Sequence, residues 1–391
     1  MRFLFVASAS NSHLTPMVPL AWALRAAGHE VRVACDADTA PGALALGLAV
    51  ARVSSRGGFA GRHRQKVRGV PGEPYYRERD ALPRMFAENA VAMIDGLAAL
   101  VDRWRPHAVV HEPVAFAAEA VAAARGLPVL RHLWGPDVWG TPSGVWLRER
   151  VHELVAAEVP GSVWPSAQQF VIDPCPAVMQ QPGPGTEVPI RFVAVDRPGT
   201  VPSWLLRPYE RPRICVTWGT FTDGAPGGHP LMRALHRLSR LDAEVVLLVR
   251  SEDLGRLGEL PAGVRAVTEV PLHAVLPSCA AIVHHGGANT TMGAVAQGVP
   301  QLIVSDTFER DLNGGRLAEA GGGLHLSSQD AHPEAVEAAA RQLVFDDRLA
   351  HSAVALQYQA MTRPTPAQVA RRLTGLVTEN PVPAARITEG A

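Results

Sequence analysis

Two groups of residues in this 391-residue chain have types and spacing able to do chemistry. The first is His284-His285-Gly286-Gly287-Ala288-Asn289-Thr290-Thr291, between an apolar run and a stretch with helical spacing. Gly286 and Gly287 let the backbone approach an anion closely, and the N–H groups at a helix start, with the positive end of its dipole, suit a diphosphate. Thr290 or Thr291 can cap that helix and offer a hydroxyl to phosphate. His284, at the strand end, is placed to donate to a phosphate oxygen. The second group is His13 and Glu112. His13 lies in the loop leaving the first strand, and Glu112 lies just past the strand Ala108–Val110, so both fall at the carboxyl edge of a sheet where open α/β folds gather ligands. A carboxylate beside an imidazole raises its pKa and fixes its tautomer, which makes a general base working near neutral pH. His111 is the rival for the strand-end polar group.

Several chemistries are excluded. The turn after His284 is not GxGxxG and the first loop holds no glycine, so no nicotinamide pattern is present. There is no GxxxxGK[ST], and the sole lysine, Lys66, lies elsewhere. A GxSxG elbow is absent, which argues against an esterase. Neither half carries a DxD triplet or a His/Cys/carboxylate cluster at ligand spacing, so no obligatory metal and no resident cofactor are expected.

The elements that must position these residues follow from hydrophobic period. Arg2–Ala9 is a continuous apolar run, the mark of a strand buried on both faces of a parallel sheet. Pro16–Ala27 has helical spacing and stops at Gly28, and Glu30–Cys35 reads as the next strand, completing a βαβ unit. The rhythm continues through helix Pro83–Trp104, strand Ala108–Val110, helix Ala115–Ala124 and strand Leu127–His132. Between about Pro160 and Pro212 it degrades into Pro-rich phrases. From Ile214 it restarts, with strands Ile214–Thr217, Glu244–Val249, Val264–Thr268, Ala281–His284 and Gln301–Val304 and helices near His229–Ser239, Leu272–Leu276 and Thr290–Gln297. The architecture expected is α/β, with two doubly wound Rossmann-like halves. A last helix, about Pro366–Thr378, is placed to cross back onto the first half. The stretch Arg56–Arg68, with five basic and no acidic residues, reads as a solvated loop or as a lid.

A formal net charge of zero gives no reason to expect nucleic acid or an anionic membrane as partner. The apolar start is too short for a signal peptide or a span, so the chain is expected to be cytoplasmic. Cys35, Cys175, Cys215 and Cys279 are widely spaced and read as reduced core residues.

Pro271-Leu272-His273, then His284-His285-Gly286-Gly287, Thr290 and Gly298-Val299-Pro300-Gln301, closely resemble the donor signature of the GT-B glycosyltransferases of family 1. The similarity points to the actinobacterial enzymes that decorate antibiotics, and runs from Ser12-His13-Leu14 to the closing Pro364-Thr365-Pro366. The resemblance implies an inverting transfer of a sugar or deoxysugar from a TDP- or UDP-sugar to a small lipophilic acceptor such as a polyketide, with His13 as base and Glu112 as its partner. It implies residues 1–205 as the acceptor half, with a linker at about 195–212, residues 213–362 as the donor half, 363–379 as the returning helix and 380–391 as a frayed tail. It also implies that Val270 and Leu272 face the nucleotide base. His284 and the backbone around Gly287, Asn289 and Thr290 would face the diphosphate, with Thr220 of Trp218-Gly219-Thr220 opposite.

Two departures from the family pattern matter. Glu269 stands where plant relatives stack a Trp on the base. Glu309-Arg310 stands where an Asp-Gln pair binds sugar hydroxyls; Arg310 offers no carbonyl, so a donor with fewer hydroxyls fits better. Trp134, Trp139, Trp146, Met85, Phe86 and Met93 can line an acceptor pocket or be ordinary core. A nucleotide-sugar epimerase and a catalytically silent scaffold on the same fold are the other readings, and a homodimer or an auxiliary protein is left open.

Overall fold

The computed structural model describes the chain apart from Ala9, residues 55–80, 165–169, Arg197, 208–209, 219–229, Arg256 and 380–391, and apart from the side chains of 230–233. Thr220 and the basic stretch Arg56–Arg68 therefore lie outside the described residues.

The first half is a seven-stranded sheet of β1 (Arg2–Ala7), β2 (Glu30–Cys35), β3 (Val50–Arg52), β4 (Ala108–His111), β5 (Val129–His132), β6 (Phe170–Asp173) and β7 (Thr186–Pro189). The order is β3-β2-β1-β4-β5-β6-β7, and every pairing is parallel. Helices are α1 (Asn11–Leu14), α2 (Val18–Ala26), α3 (Ala40–Ala45), α4 (Ala81–Trp104), α5 (Phe116–Ala124) and α6 (Pro142–Glu158). Alternate strand residues feed two cores, as a period of two demands. Leu4, Val6 and Val109 pack with α4 to α6, while Phe3, Phe5 and Val110 pack with α2. β6 and β7 fall in the Pro-rich stretch where no strand was legible. Pro189 is tolerated because β7 is an edge strand with few ladder bonds to lose.

The second half has six parallel strands, β8 (Arg213–Thr217), β9 (Glu244–Leu248), β10 (Val264–Val267), β11 (Ala281–His284), β12 (Gln301–Ser305) and β13 (Gly323–Ser327), in the order β10-β9-β8-β11-β12-β13. Its helices are α7 (Pro230–Leu238), α8 (Ser251–Leu254), α9 (Leu272–Val275), α10 (Ala288–Gln297), α11 (Phe308–Glu319), α12 (Pro333–Phe345) and α13 (Asp347–Met361). A final helix, α14 (Pro366–Glu379), returns to the first half, as its sequence position suggested. It buries Val369, Leu373 and Val377 in the core under α2, each contributing about 1.5–3 kcal/mol.

In each sheet the chain runs outward on one side and then restarts on the other. Between β1 and β4, and between β8 and β11, this leaves a crevice at the strands' carboxyl ends, the topological switch point where doubly wound folds bind ligands. The halves meet through an apolar cluster that joins Met179 and Phe192 to Met292, Leu317 and Leu356. Arg316 reinforces it by donating to the carbonyls of Met179 at 2.9 Å and Gln180 at 2.6 Å. No described helix is long and apolar enough to cross a membrane.

Candidate active site

The loop after β1 and the loop after β4 flank the first switch point, and they bring His13 and Glu112 together. Glu112 is fully buried. Its Oε1 accepts from the Ser8 backbone N–H at 3.2 Å and the Ser8 hydroxyl at 2.8 Å, and its Oε2 accepts from the Val114 N–H at 2.8 Å. Oε2 also lies 3.6 Å from His13 Nδ1. Burial pushes the Glu112 carboxyl up to about 8, against the pull of those three donors. A proton on this carboxyl has one place to sit, the Oε2 edge that faces the imidazole. The His13 ring stacks on Trp134, with centroids 4.0 Å apart and planes at 28°. Stacking sets the ring plane, and the Nδ1 edge faces Glu112 while Nε2 lies on the other side of the ring.

His111 is not the cleft residue. It is the last residue of β4, and its Nε2 lies 3.9 Å from Glu119 of α5. It is wholly buried, and its Nδ1–H donates to the Glu112 carbonyl at 2.9 Å. Burial pushes its imidazole down to about 4.

The second switch point holds the glycine-rich turn. Gly287 is the N-cap of α10, and no side chain caps the helix. The Thr291 hydroxyl is turned inward to the Gly287 carbonyl at 3.1 Å, which leaves the half-buried Thr290 as the hydroxyl at the cradle. Gly286 has φ +84°, a conformation L side chains rarely adopt, and an added Cβ would lie 2.7 Å from Ile303 Cγ2. Its carbonyl accepts from Asn313 Nδ2 at 2.9 Å, which pins the turn to α11.

The structure corrects the reading of His284. Its Nε2 donates to Gln301 Oε1 at 3.0 Å, and its Nδ1 accepts from the Gly286 N–H at 3.1 Å. The ring is fully buried beneath α10, and burial pushes it down to about 4. With both nitrogens engaged, it holds the turn's shape and has no hydrogen to offer a phosphate. The reason is strand parity: Ile282 and His284 share the face that α10 covers, while the next residue leaves the strand. That residue, His285, lies at the cradle. Its Nε2 is 2.7 Å from where a Cβ on Gly287 would be, and its ring centroid is 5.9 Å from that of Trp218 at the end of β8. Both rings are buried, His284 beneath α10 and His285 beside Gly287; the tandem histidine was visible in the sequence, but which of the two lay at Gly287 depended on where β11 ended.

The side chain of Asn289 makes a contact the sequence did not disclose. Its carboxamide Nδ2 crosses to the first half, donating to the Ser12 carbonyl at 2.8 Å and to Thr15 Oγ1 at 2.7 Å. Glu309 and Arg310 open α11 beside the turn, with the Arg310 carbonyl and Cβ next to Gly286. The Arg310 guanidinium is paired with Asp306 at 2.5 Å, and burial raises the Glu309 carboxyl.

Val270 and Leu272 are half-buried against the same core cluster as Trp204 and Leu205 of the segment between the sheets, and α9 packs on α10. Asp196 Oδ2 accepts from both the backbone N–H and Nδ1 of His273, at 2.9 and 2.7 Å. Glu269 sits at φ +56°, and its carbonyl accepts from the Thr200 N–H at 3.1 Å. The strip expected to face the base is thus buttressed by residues 196–205. A turn residue at positive φ is a poor place for a stacking Trp, consistent with Glu269 standing there.

Two family models, for the N-terminal and C-terminal domains of erythromycin biosynthesis protein CIII-like proteins, match residues 22–219 and 232–376. The chain belongs to that family. It is a glycosyltransferase of the GT-B fold, with two Rossmann-like halves and a C-terminal helix that returns to the first. It is 37% identical to L-demethylnoviosyl transferase of Streptomyces niveus, over 95% of this chain and 97% of that protein. It is 34% identical to tylactone mycaminosyltransferase of Streptomyces fradiae, over 96% of this chain and 92% of the relative. Among solved structures, spinosyn rhamnosyltransferase SpnG complexed with thymidine diphosphate superposes with a TM-score of 0.81 at 28% identity, covering 96% of this chain and 100% of that one.

In the first half of this glycosyltransferase, the aromatic and Met side chains weighed as pocket lining divide. Met85, Met93 and Trp139 are buried core, and Phe86 packs against them. Trp134 reaches the site, through its stack on His13. Beneath α6 lies a buried polar group that the sequence did not disclose. Glu119 is paired with Arg148 at 3.0 Å, with His152 Nε2 at 3.7 Å and His111 Nε2 at 3.9 Å. Burial alone would raise the Glu119 carboxyl; the hydrogen bond to His152 and the Arg148 charge hold it well below the usual carboxylate range. The group ties β4, α5 and α6 together behind Glu112.

Proposed function

We propose that this glycosyltransferase moves a sugar with few free hydroxyls from a TDP-sugar to a lipophilic natural-product acceptor, inverting the anomeric centre and requiring no metal. His13 Nε2 takes the proton of the acceptor hydroxyl as that oxygen attacks C1. The bond from C1 to the diphosphate oxygen breaks, and the diphosphate leaves with the electron pair. Glu112 orients the ring and stabilises the imidazolium as it forms. The leaving charge is met by the uncapped N–H groups of α10, the Thr290 hydroxyl and His285, preorganised donors that do the work a cation would otherwise do.

The observation that carries this reading is that a His-carboxylate pair at one switch point and an uncapped helix N-terminus at the other are joined directly, by Asn289. The preference for TDP is supported by the similar SpnG structure, which is complexed with thymidine diphosphate. The preference for a sugar with few hydroxyls is supported by Arg310, which stands where an amide carbonyl would serve a fuller hexose and is paired with Asp306. Macrolide and aromatic acceptors are both supported by the relatives.

The test is a transfer assay of the purified enzyme with a TDP-6-deoxyhexose or a UDP-hexose, each against macrolactone and aromatic polyketide aglycones. Products are detected by mass, and their anomeric configuration by one-bond C–H coupling. A glycoside of inverted configuration, formed from the TDP donor and in EDTA, is expected. Retained configuration, or release of free sugar without a glycoside, would sink the proposal.

A further inference from the structure

We infer that Asn289 is the positioning residue that couples the donor cradle to the catalytic histidine, so that His13 is in register only when the two halves are closed on one another. This rests on the proposed role of His13. Asn289 is the second residue of α10, where the family resemblance implied a contact to the donor. Both hydrogens of its carboxamide are instead spent across the cleft, on the Ser12 carbonyl at 2.8 Å and on Thr15 Oγ1 at 2.7 Å. The Ser12 carbonyl belongs to the peptide group whose nitrogen is that of His13. The same short turn is closed from within, since the Ser10 hydroxyl accepts from the Ser12 N–H at 3.2 Å and the Ser10 carbonyl accepts from the His13 N–H at 3.1 Å. Asn289 therefore reaches from the second half to the carbonyl adjoining His13, which also accepts from the Thr15 hydroxyl at 3.4 Å.

The geometry of the dyad makes that hold matter. His13 Nδ1 and Glu112 Oε2 are 3.6 Å apart, beyond the range of a strong hydrogen bond, so a shift of a few tenths of an ångström in the turn makes or breaks the pairing. The base and the donor's C1 ride on different halves, and misplacement by about 1 Å costs about 10²-fold in rate. Other contacts between the halves include Arg316 with Met179 and Gln180, the apolar cluster of Phe192 and Leu317, and Ala288 of α10 packed against the first-half core that holds Trp134. Of the contacts described, the Asn289 clasp is the one that hydrogen-bonds the backbone of the His13 turn.

Three variants test this: Asn289→Ala, Asn289→Asp, which presents only acceptors to two groups that include a carbonyl, and Thr15→Val, which removes one partner from the other half and leaves the cradle intact. Asn289→Ala and Asn289→Asp are expected to lower kcat about 10–100-fold, with TDP affinity by calorimetry within about threefold of the parent. Thr15→Val is expected to lower kcat in the same direction by less, and the acid limb of the kcat profile should move in all three. Amide hydrogen exchange of residues 10–17 should quicken in all three, a readout that needs no turnover and so stands even if the proposed reaction fails. Loss of TDP affinity in step with kcat would assign Asn289 to the donor and overturn the inference. Unchanged kcat together with unchanged exchange would overturn it equally.

Discussion

Replacing His13 by alanine is expected to slow transfer by about 10²–10⁴-fold, the usual contribution of a positioned general base, while TDP still binds, because no cradle residue is touched. The dependence on pH identifies the role. The active form of the dyad is the one with Glu112 ionised and the His13 proton on Nδ1. Adding a proton either charges the ring or moves the neutral tautomer so that Nε2 is no longer basic. Burial raises the Glu112 carboxyl to about 8, so the carboxylate partner of His13 forms only as the pH rises toward that value. Activity should therefore rise with pH along an acid limb near the ionisation of Glu112. In Glu112→Gln the charge is gone, so the limb should shift to lower pH while the maximal rate falls. A rate in His13→Ala within about threefold of the parent, or a limb that stays in place in Glu112→Gln, would remove the dyad from the mechanism.

The second large effect is on stability. His284→Ala deletes a buried ring both of whose nitrogens are bonded, leaving Gln301 Oε1 and the Gly286 N–H without those partners and a void under α10. Each orphaned polar group costs about 1–3 kcal/mol and the void adds to it, so a loss of about 3–5 kcal/mol is expected. It should be seen as a lowered transition in thermal or denaturant unfolding of the second half. TDP affinity, measured below that transition, should change less than about tenfold, since His284 holds the turn and does not touch the ligand. If the histidine were a phosphate donor the pattern would be the reverse, with stability nearly intact and TDP affinity lost.

Why some of this was legible and some was not follows from the physics of particular residues. β1, β4, β8 and β11 are continuous apolar runs, so their carboxyl ends could be placed closely enough to find His13 and Glu112, which need only lie past a strand. His284 and His285 could not be separated that way, because a one-residue uncertainty in where β11 ends exchanges the two faces of the sheet, and both rings are buried. β7 was hidden by Pro189, which its edge position permits, and β6 by its short length among Pro-rich phrases. The reach of Asn289 to Ser12, 277 residues away in the chain, and the burial of Glu119 beside Arg148 and His152 depend on how helices settle over the sheet. No local pattern encodes either one. Glu269 gave a sign through its departure from the family residue, but its positive φ became visible only with the linker in place.

The central claim is that a diphosphate is held at the start of α10 by backbone N–H groups, Thr290 and His285. The direct test is calorimetric titration of TDP into the parent enzyme and into His285→Ala, each with EDTA present. Saturable binding to the parent, weakened at least about tenfold in the variant, is predicted from the loss of a charge-assisted hydrogen bond of about 1.5–3 kcal/mol. TDP affinity equal in the two proteins, or no binding by a parent shown to be folded, would contradict it.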